Sequence, residues 1–186
     1  DEWRMIAILA VILCHIDNLY PYVTTSLKLA IPYFLTDFGR IGVPIFLMIS
    51  GALLLNRDHD LVFFLKKRFS RILIPFIFWV IVLGIFHFYV LGMPLDKTFD
   101  WMLGSGVTWY VYELIGAYLF IPVVNAFIQK YGERGIIYFL IIWGIALVTE
   151  VFNFHPFPHL TLEYFSGFIG YMVLGYYLFN HKFNIS

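Results

Sequence analysis

The sequence predicts an all-α protein, a polytopic transmembrane helical bundle with about six spans. Three observations support this fold class. Hydrophobic residues make up 61% of the 186 positions and charged residues only 13%, whereas soluble domains are about half apolar and about a quarter charged. The apolar residues gather in runs of about 17–25 residues, the length that crosses a bilayer as a helix. The cations concentrate between alternate runs, as the positive-inside rule requires of a multi-pass membrane protein.

Six apolar runs are long enough to span a bilayer. They lie at about 3–22, 38–56, 70–91, 107–128, 135–152 and 163–180. Each is predicted to be helical, because a strand with unpaired backbone groups cannot face lipid. The third run is continuously apolar over 72–86, which argues against an outer-membrane barrel, whose strands alternate between apolar and polar residues.

The distribution of cations predicts the orientation. With a cytoplasmic N-terminus, most lysines and arginines lie inside, and reversal would break the positive-inside rule. The inside set is Arg4, Arg57, Lys66, Lys67, Arg68, Arg71, Lys130, Arg134 and Lys182, and the outside set is Lys28, Arg40 and Lys97. Both ends of the 186 residues are therefore predicted to face the cytoplasm.

Several classes of function are disfavoured by composition. The formal net charge is zero, so there is no positive field to attract nucleic acid. The chain contains one cysteine, which excludes an internal disulfide. His155 and His159 lie close together, but prolines intervene and no carboxylate or thiol is nearby, so we expect no metal site. His59, His87 and His181 are assigned no role.

The first apolar run carries two polar side chains, Arg4 and His15, on one helical face. Eleven residues at about 100° each make three turns plus about 20°, and the helical rise separates the two by about 16 Å. With Arg4 at the cytoplasmic surface, His15 is predicted to lie near the middle of the bilayer. An ionisable group at that depth indicates a functional site, and imidazole is suited to proton transfer near neutral pH. A neutral histidine that only hydrogen-bonds another helix remains the alternative.

The third run begins with a basic stretch that contains Lys66, Lys67, Arg68 and Arg71. Arg68 and Arg71 are three residues apart and therefore neighbours on one helix face. Two interpretations stay open. The stretch is either a topology anchor that reaches lipid phosphates or a pocket whose guanidiniums bind a phosphate ligand.

Two further residues of the spans are considered as site candidates. Glu113 lies about 9 Å inside the outer boundary of the fourth run by helical rise. A carboxylate at that depth is costly unless it is paired or hydrated, so Glu113 is a second-tier candidate. Cys14 points about 100° away from His15 on an ideal helix, so it is predicted to be a small buried hydrophobic residue.

Four motifs follow one another along the chain. The first run contains an arginine, ten residues and a histidine, Arg4 and His15. The second run reads GRIGVPIFLMISGALLL and includes a Ser-Gly pair. An Arg-x-x-Arg, Arg68 and Arg71, begins the third run and is followed by Pro75. The fourth run, WYVYELIGAYLFIPVV, starts with a Trp-Tyr pair and reaches a proline near its end.

This set of motifs resembles the acyltransferase family 3 membrane proteins, the O-acyltransferases of surface polysaccharides and related glycans. The resemblance implies a plasma-membrane enzyme that moves an acyl group, commonly acetyl, from a cytoplasmic coenzyme A thioester to a hydroxyl of a glycan or lipid-linked acceptor. It implies that His15 is the catalytic base or acyl relay. Arg4, Lys67, Arg68 and Arg71 would then bind the donor. Acyl-CoA would be a co-substrate, and no permanently bound cofactor is expected.

Members of that family often have about ten spans, so residues 1–186 are expected to be a single transmembrane domain from the N-terminal part of a longer protein. The alternative is half of a secondary transporter with an intramembrane path for protons or solute. Transporter halves usually show broken helices in matching positions, and the six runs show no such symmetry.

Overall fold

A computed structural model describes residues 2–15, 37–58, 60–104, 108–153 and 167–181. These residues contain six helices and no strand, which confirms the all-α fold class. The helices are α1 Glu2–Cys14, α2 Gly42–Leu54, α3 Leu61–Tyr89, α4 Leu95–Gly104, α5 Trp109–Val151 and α6 Ile169–Asn180.

Three helical segments in the described ranges are long and apolar enough to cross a membrane, Asp37–Leu54, Leu61–Tyr89 and Trp109–Val151. The first two correspond to the second and third predicted spans. The 43-residue α5 covers the predicted fourth and fifth spans. Parts of the predicted first and sixth spans, 16–22 and 163–166, lie outside the described residues, as do His59, His155 and His159. The number of spans therefore stays a prediction.

The chain divides into two compact units. The first unit comprises Asp1–Asn56 and Phe127–Ser186, and the second comprises Arg57–Ala126. The single-domain prediction is not decided by this division.

In the first unit, α2 and α6 pack closely through two glycines. A side chain at Gly51 would overlap the backbone of Met172, and one at Gly175 would overlap the backbone of Met48. Close approach at small residues is the usual way in which helices associate within a membrane. Leu47 and Met172 beside this contact are 1% or less exposed, so the contact forms the core of the unit.

Helix α1 also packs on the second span through glycines. Gly39 lies against Ala10, and Gly42 lies against Ala7. Ala7 and Ala10 are the buried residues of α1. Because the later glycine meets the earlier alanine, the two segments run antiparallel.

Trp143 of α5 contacts the start of α6 through a hydrogen bond and a ring contact. Its indole Nε1 donates to the Gly167 carbonyl at 3.2 Å, and its ring packs edge-on against Tyr171 at 4.9 Å. A side chain at Gly170 would overlap the indole. The indole therefore combines apolar burial with a satisfied donor, as buried tryptophans usually do.

Gly132 interrupts α5. Its φ of 58° and ψ of −146° are non-helical, in a region that only glycine enters without strain. The predicted boundary between the fourth and fifth spans falls at this residue. The sequence therefore located the interruption correctly, although a single residue replaces the short loop that separated the two predicted runs.

The second unit contains α3 and α4. Asp60 caps α3 by accepting a hydrogen bond from the Phe63 N–H at 2.8 Å, which satisfies one of the unpaired donors of the first turn. A methyl group added to Gly84 of α3 would lie 3.0 Å from the Met102 sulfur of α4, so the two helices approach closely there. The α4 helix was not predicted from the sequence. Its ten residues are too few to span a bilayer.

Candidate functional site

His15 follows the last residue of α1, and its ring orientation is set by that helix. The backbone N–H of His15 donates to the Ile12 carbonyl at 3.1 Å, which closes a tight final turn. The ring Nδ1 lies 2.8 Å from the Val11 carbonyl oxygen. A carbonyl oxygen only accepts, so Nδ1 carries the hydrogen and Nε2 of the neutral ring carries the lone pair. The ring is exposed and is therefore accessible to a reactant.

Cys14 contacts His15 more closely than an ideal helix predicts. Its Sγ lies 3.2 Å from Nδ1 of His15 and 3.1 Å from the Val11 carbonyl oxygen. The helix ends at Cys14, so the relative direction of the two side chains no longer follows the helical angle. Nδ1 donates to the same carbonyl that accepts from the thiol, so Nδ1 is not positioned to take the thiol proton. Cys14 is half-buried, which is less than the full burial that the sequence predicted.

The antiparallel packing of α1 places His15 level with the first turn of the second span. That span, Asp37–Leu54, has 18 residues and a length of about 27 Å, close to the hydrocarbon thickness of a bilayer. His15 therefore lies nearer to one end of this span than the sequence predicted. The depth prediction assumed that Arg4 lies at the surface, whereas Ala7, one turn after Arg4, already lies beside Gly42.

The predicted donor-binding cations of α3 lie together on the first turns of that helix. Arg68 is half-buried, with its guanidinium 5.8 Å from the centre of the Phe64 ring. Lys67 is exposed, with its ammonium 5.4 Å from the centre of the Phe63 ring. Each cation thus stacks on the aromatic residue one turn before it. Arg71, also exposed, extends the charge by one more turn on the Arg68 face.

Stacking on Phe64 orders the Arg68 side chain before any ligand binds. Phe64 itself is 4% exposed, so the ring is a fixed support. A pre-positioned guanidinium loses less conformational freedom when it binds phosphate than a mobile one does. This geometry suits an anion site, although a lipid phosphate and a soluble phosphate share the same chemistry.

The remaining candidates are placed as follows. Arg4 lies in the first turns of α1 and is exposed. Glu113 lies in the first turns of α5 and is exposed. Arg4 and His15 belong to the first unit, whereas Lys67, Arg68, Arg71 and Glu113 belong to the second. The structure therefore brings together only Lys67, Arg68 and Arg71, on the first turns of α3, and the other candidates lie apart from this cluster along the chain or in the other unit.

A polar cluster that the sequence did not reveal lies in the first unit. Glu133 Oε1 is 2.9 Å from Nδ1 of His181, and the Asn56 amide donates to the Tyr176 hydroxyl at 2.8 Å. These four residues line a cavity of about 450 Å³. The predicted topology could have indicated this cluster, because it places residues 56, 133 and 181 on the cytoplasmic side. None of the three belongs to a recognisable sequence motif.

Comparison with known proteins decides the family. The model of the acyltransferase 3 family, described as an acyltransferase domain, matches residues 1–186. The chain belongs to this acyltransferase family. No curated protein and no solved structure was found to match it.

Membership in the acyltransferase 3 family confirms the resemblance seen in the motifs and, with the apolar helices, identifies a membrane acyltransferase. It favours the enzyme over the transporter alternative. The roles of His15, Arg4, Lys67, Arg68, Arg71 and Glu113 stay predictions, because neither the match nor the geometry tests them.

Proposed function

We propose that this membrane acyltransferase moves an acyl group, of the acetyl type, from acyl-CoA to a hydroxyl of a glycan or lipid-linked acceptor of the cell envelope. Acyl-CoA acts as a co-substrate that leaves as coenzyme A after each turnover. The enzyme works as a multi-pass protein of the plasma membrane, with the donor supplied from the cytoplasm. Family membership supports acyl transfer, and the arrangement of charge supports the donor.

His15 is the proposed reacting side chain. In the base route, Nε2 takes the proton of the acceptor hydroxyl, and the hydroxyl oxygen attacks the thioester carbonyl. The C–S bond then breaks and coenzyme A leaves as a thiolate, which takes up a proton. In the relay route, Nε2 first attacks the carbonyl, and the C–S bond breaks as coenzyme A leaves as a thiolate. The acceptor hydroxyl oxygen then attacks the acyl carbon and displaces Nε2, and the hydroxyl proton goes to the thiolate. Both routes use the same nitrogen.

The observation that carries this proposal is the contact between His15 Nδ1 and the Val11 carbonyl at 2.8 Å. It selects the tautomer whose lone pair is on Nε2, because the hydrogen bond made by one ring nitrogen determines which form the other takes. It also restricts rotation of the ring, so Nε2 points away from its own helix.

The donor is proposed to bind through its phosphates. A coenzyme A thioester carries several negative charges at its nucleotide end, and guanidinium groups bind phosphate with paired hydrogen bonds. Arg68, Arg71 and Lys67 offer three cations within two turns of α3. Arg4 on α1, the fourth residue predicted to bind the donor, belongs to the other unit. The separation of Arg4 and His15 by helical rise, about 16 Å, is a distance that the flexible pantetheine arm can bridge.

The test uses the full-length protein in lipid nanodiscs with acetyl-CoA. We expect acetyl-CoA to raise the unfolding temperature of the wild type, because a ligand that binds the folded state stabilises it. Arg68→Ala should lose this protection, whereas Arg57→Ala, which removes an exposed cation outside the cluster, should keep it. Loss of protection in both variants, or in neither, would contradict the assignment of the donor site.

The catalytic role is tested separately by acyl transfer to the cell-envelope fraction. His15→Ala should keep acetyl-CoA protection yet lose at least about a hundredfold in transfer rate, the lower range for removal of a catalytic base. His87→Ala is the matched control, since it removes an imidazole near the end of α3 whose Nδ1 lies 3.2 Å from the Met93 sulfur. Equal transfer by the wild type and His15→Ala would falsify the role of His15.

A further inference from the structure

We infer that the cavity between α2, α5 and α6 of the first unit binds a neutral, hydroxyl-rich ligand of the monosaccharide type. The cavity has a volume of about 450 Å³ and is lined by Asn56, Ile128, Gly132, Glu133, Ile136, Tyr176, Tyr177, Asn180 and His181. Its size is that of a small-molecule site. The inference goes beyond the proposed function, because it concerns a separate site and needs no acyl donor.

The position of the cavity follows from three helix ends. Asn56 comes two residues after α2, Glu133 follows the break at Gly132, and His181 directly follows α6. Gly132 brings no side chain into the cavity and takes a backbone conformation with a φ of 58°. The break therefore leaves room beside Glu133. In the predicted topology all three positions lie on the cytoplasmic side of the membrane.

Glu133 and His181 form an oriented carboxylate–imidazole pair. The carboxylate oxygen lies 2.9 Å from Nδ1, so Nδ1 donates to it and the neutral ring carries its lone pair on Nε2. The His181 ring stacks on Tyr177 at a centroid distance of 4.9 Å and an interplanar angle of 21°. The stacking and the hydrogen bond hold the ring in one orientation. The side chains of Glu133 and His181 are 58% and 36% exposed, so a ligand can reach both from solvent.

The rest of the lining adds hydrogen-bonding groups of both kinds. The Asn56 amide donates to the Tyr176 hydroxyl oxygen at 2.8 Å, so the hydroxyl hydrogen of Tyr176 points away from Asn56. The Asn180 amide donates to the Tyr176 carbonyl at 2.9 Å, and its side-chain oxygen accepts. Tyr176 and Tyr177 add flat apolar faces. Sugars present the matching combination, hydroxyls that both donate and accept around an apolar ring face.

Other classes of ligand fit the lining less well. A phosphate or carboxylate ligand would meet Glu133, and no lysine or arginine is among the described lining residues. A cationic ligand would compete with His181 for the one carboxylate. The described part of the chain contains no group of three or more His, Cys, Asp or Glu residues that could hold a metal ion. A purely apolar ligand would leave the amides and the carboxylate desolvated without partners.

The test measures the binding of five neutral sugars to the full-length protein in nanodiscs, without acyl donor, by saturation-transfer difference NMR. The sugars are glucose, galactose, mannose, rhamnose and N-acetylglucosamine. We expect at least one to bind the wild type and to bind Glu133→Ala and His181→Phe at least about tenfold more weakly, as expected for the loss of a hydrogen bond to a charged group. His181→Phe keeps a ring that can stack on Tyr177, so any loss of binding is due to the missing imidazole nitrogens.

Glu150→Ala is the matched control, because Glu150 is an exposed carboxylate of α5 outside the cavity, and it should bind the sugar as the wild type does. The unfolding temperature of each variant is measured first, and only variants that unfold at the wild-type temperature are used for binding. Tyr176→Phe, which removes one hydroxyl from the cavity, replaces any variant that fails this check. The inference is overturned if none of the five sugars binds, if the cavity variants bind as the wild type does, or if glucose 6-phosphate binds more tightly than glucose. Because acyl transfer is absent from the assay, these results are independent of the role of His15.

Discussion

The contact between α2 and α6 predicts that Gly51→Ala destabilises the first unit, although alanine is the better helix former. The added methyl carbon would lie 2.6 Å from Met172 Cα and nearer still to the Met172 carbonyl. Non-bonded carbon atoms rest about 3.5–4.0 Å apart, so the two helices would have to separate by at least about 1 Å. The obstacle is backbone, which cannot rotate out of the way as a side chain could.

The magnitude follows from two opposing contributions. Separation by about 1 Å gives up a quarter to a half of the dispersion energy of the contacting atoms, and overpacking of a tight core costs about 1–3 kcal/mol. We take the upper value, about 3 kcal/mol, because Leu47 and Met172 beside the contact are almost fully buried. Helix propensity returns about 1 kcal/mol for Gly to Ala. The expected net loss is about 2 kcal/mol of the free energy of unfolding.

The assay is unfolding by a denaturing detergent in mixed micelles, followed by circular dichroism. Gly144→Ala is the matched control, because Gly144 lies inside α5 and a methyl there meets nothing within 4 Å. This control should gain up to about 1 kcal/mol from propensity alone, so the two variants should differ by about 3 kcal/mol. Equal stabilities of Gly51→Ala and Gly144→Ala would refute the packing argument.

Two further predictions concern α5. Gly132→Ala should lower the free energy of unfolding by about 1–3 kcal/mol through backbone strain. The φ of 58° at Gly132 is unfavourable for alanine, whereas a methyl there meets nothing within 4 Å, so the loss comes from the backbone alone. The same detergent titration measures this loss, and an unchanged free energy of unfolding would contradict the prediction. Trp143→Phe should cost at least about 1 kcal/mol for the lost hydrogen bond to Gly167, together with lost packing on Tyr171. Near-ultraviolet circular dichroism should show loss of the Trp143 signal. An unchanged free energy of unfolding would contradict the role of the indole in stabilising the start of α6.

The sequence predicted the helical fold well because composition alone excludes most alternatives. A chain with 61% hydrophobic residues must satisfy its backbone within each apolar run, and only helices do so when the runs are continuous. The break at Gly132 was also located, since a charged and glycine-containing stretch separates two apolar runs. The short helix α4 was missed because its ten residues are fewer than a membrane span needs, and the search for apolar runs detects only segments of spanning length.

The roles of the candidate residues stay predictions, but part of their local geometry could be predicted from the sequence. Spacing placed Arg68 and Arg71 on one helix face, and the structure agrees. The stacking of Arg68 on Phe64 and the bond from His15 Nδ1 to the Val11 carbonyl depend on rotamers, which spacing does not determine. The Glu133–His181 pair joins a residue of α5 to the residue after α6, 48 positions apart, and a contact of that kind depends on tertiary packing.

Helix α3 carries the basic cluster and the predicted third membrane span on one continuous helix. Its 29 residues extend about 43 Å, whereas the hydrocarbon layer is about 30 Å thick. With the predicted span at 70–91, the surplus of about nine residues by helical rise precedes the span and bears Lys67 and Arg68. A helix anchored in this way answers a thinner bilayer by tilting, and the tilt swings its charged end sideways through the headgroup layer. We therefore expect the position of the basic cluster to depend on lipid chain length, so that bilayer thickness would affect the binding of any phosphate group there.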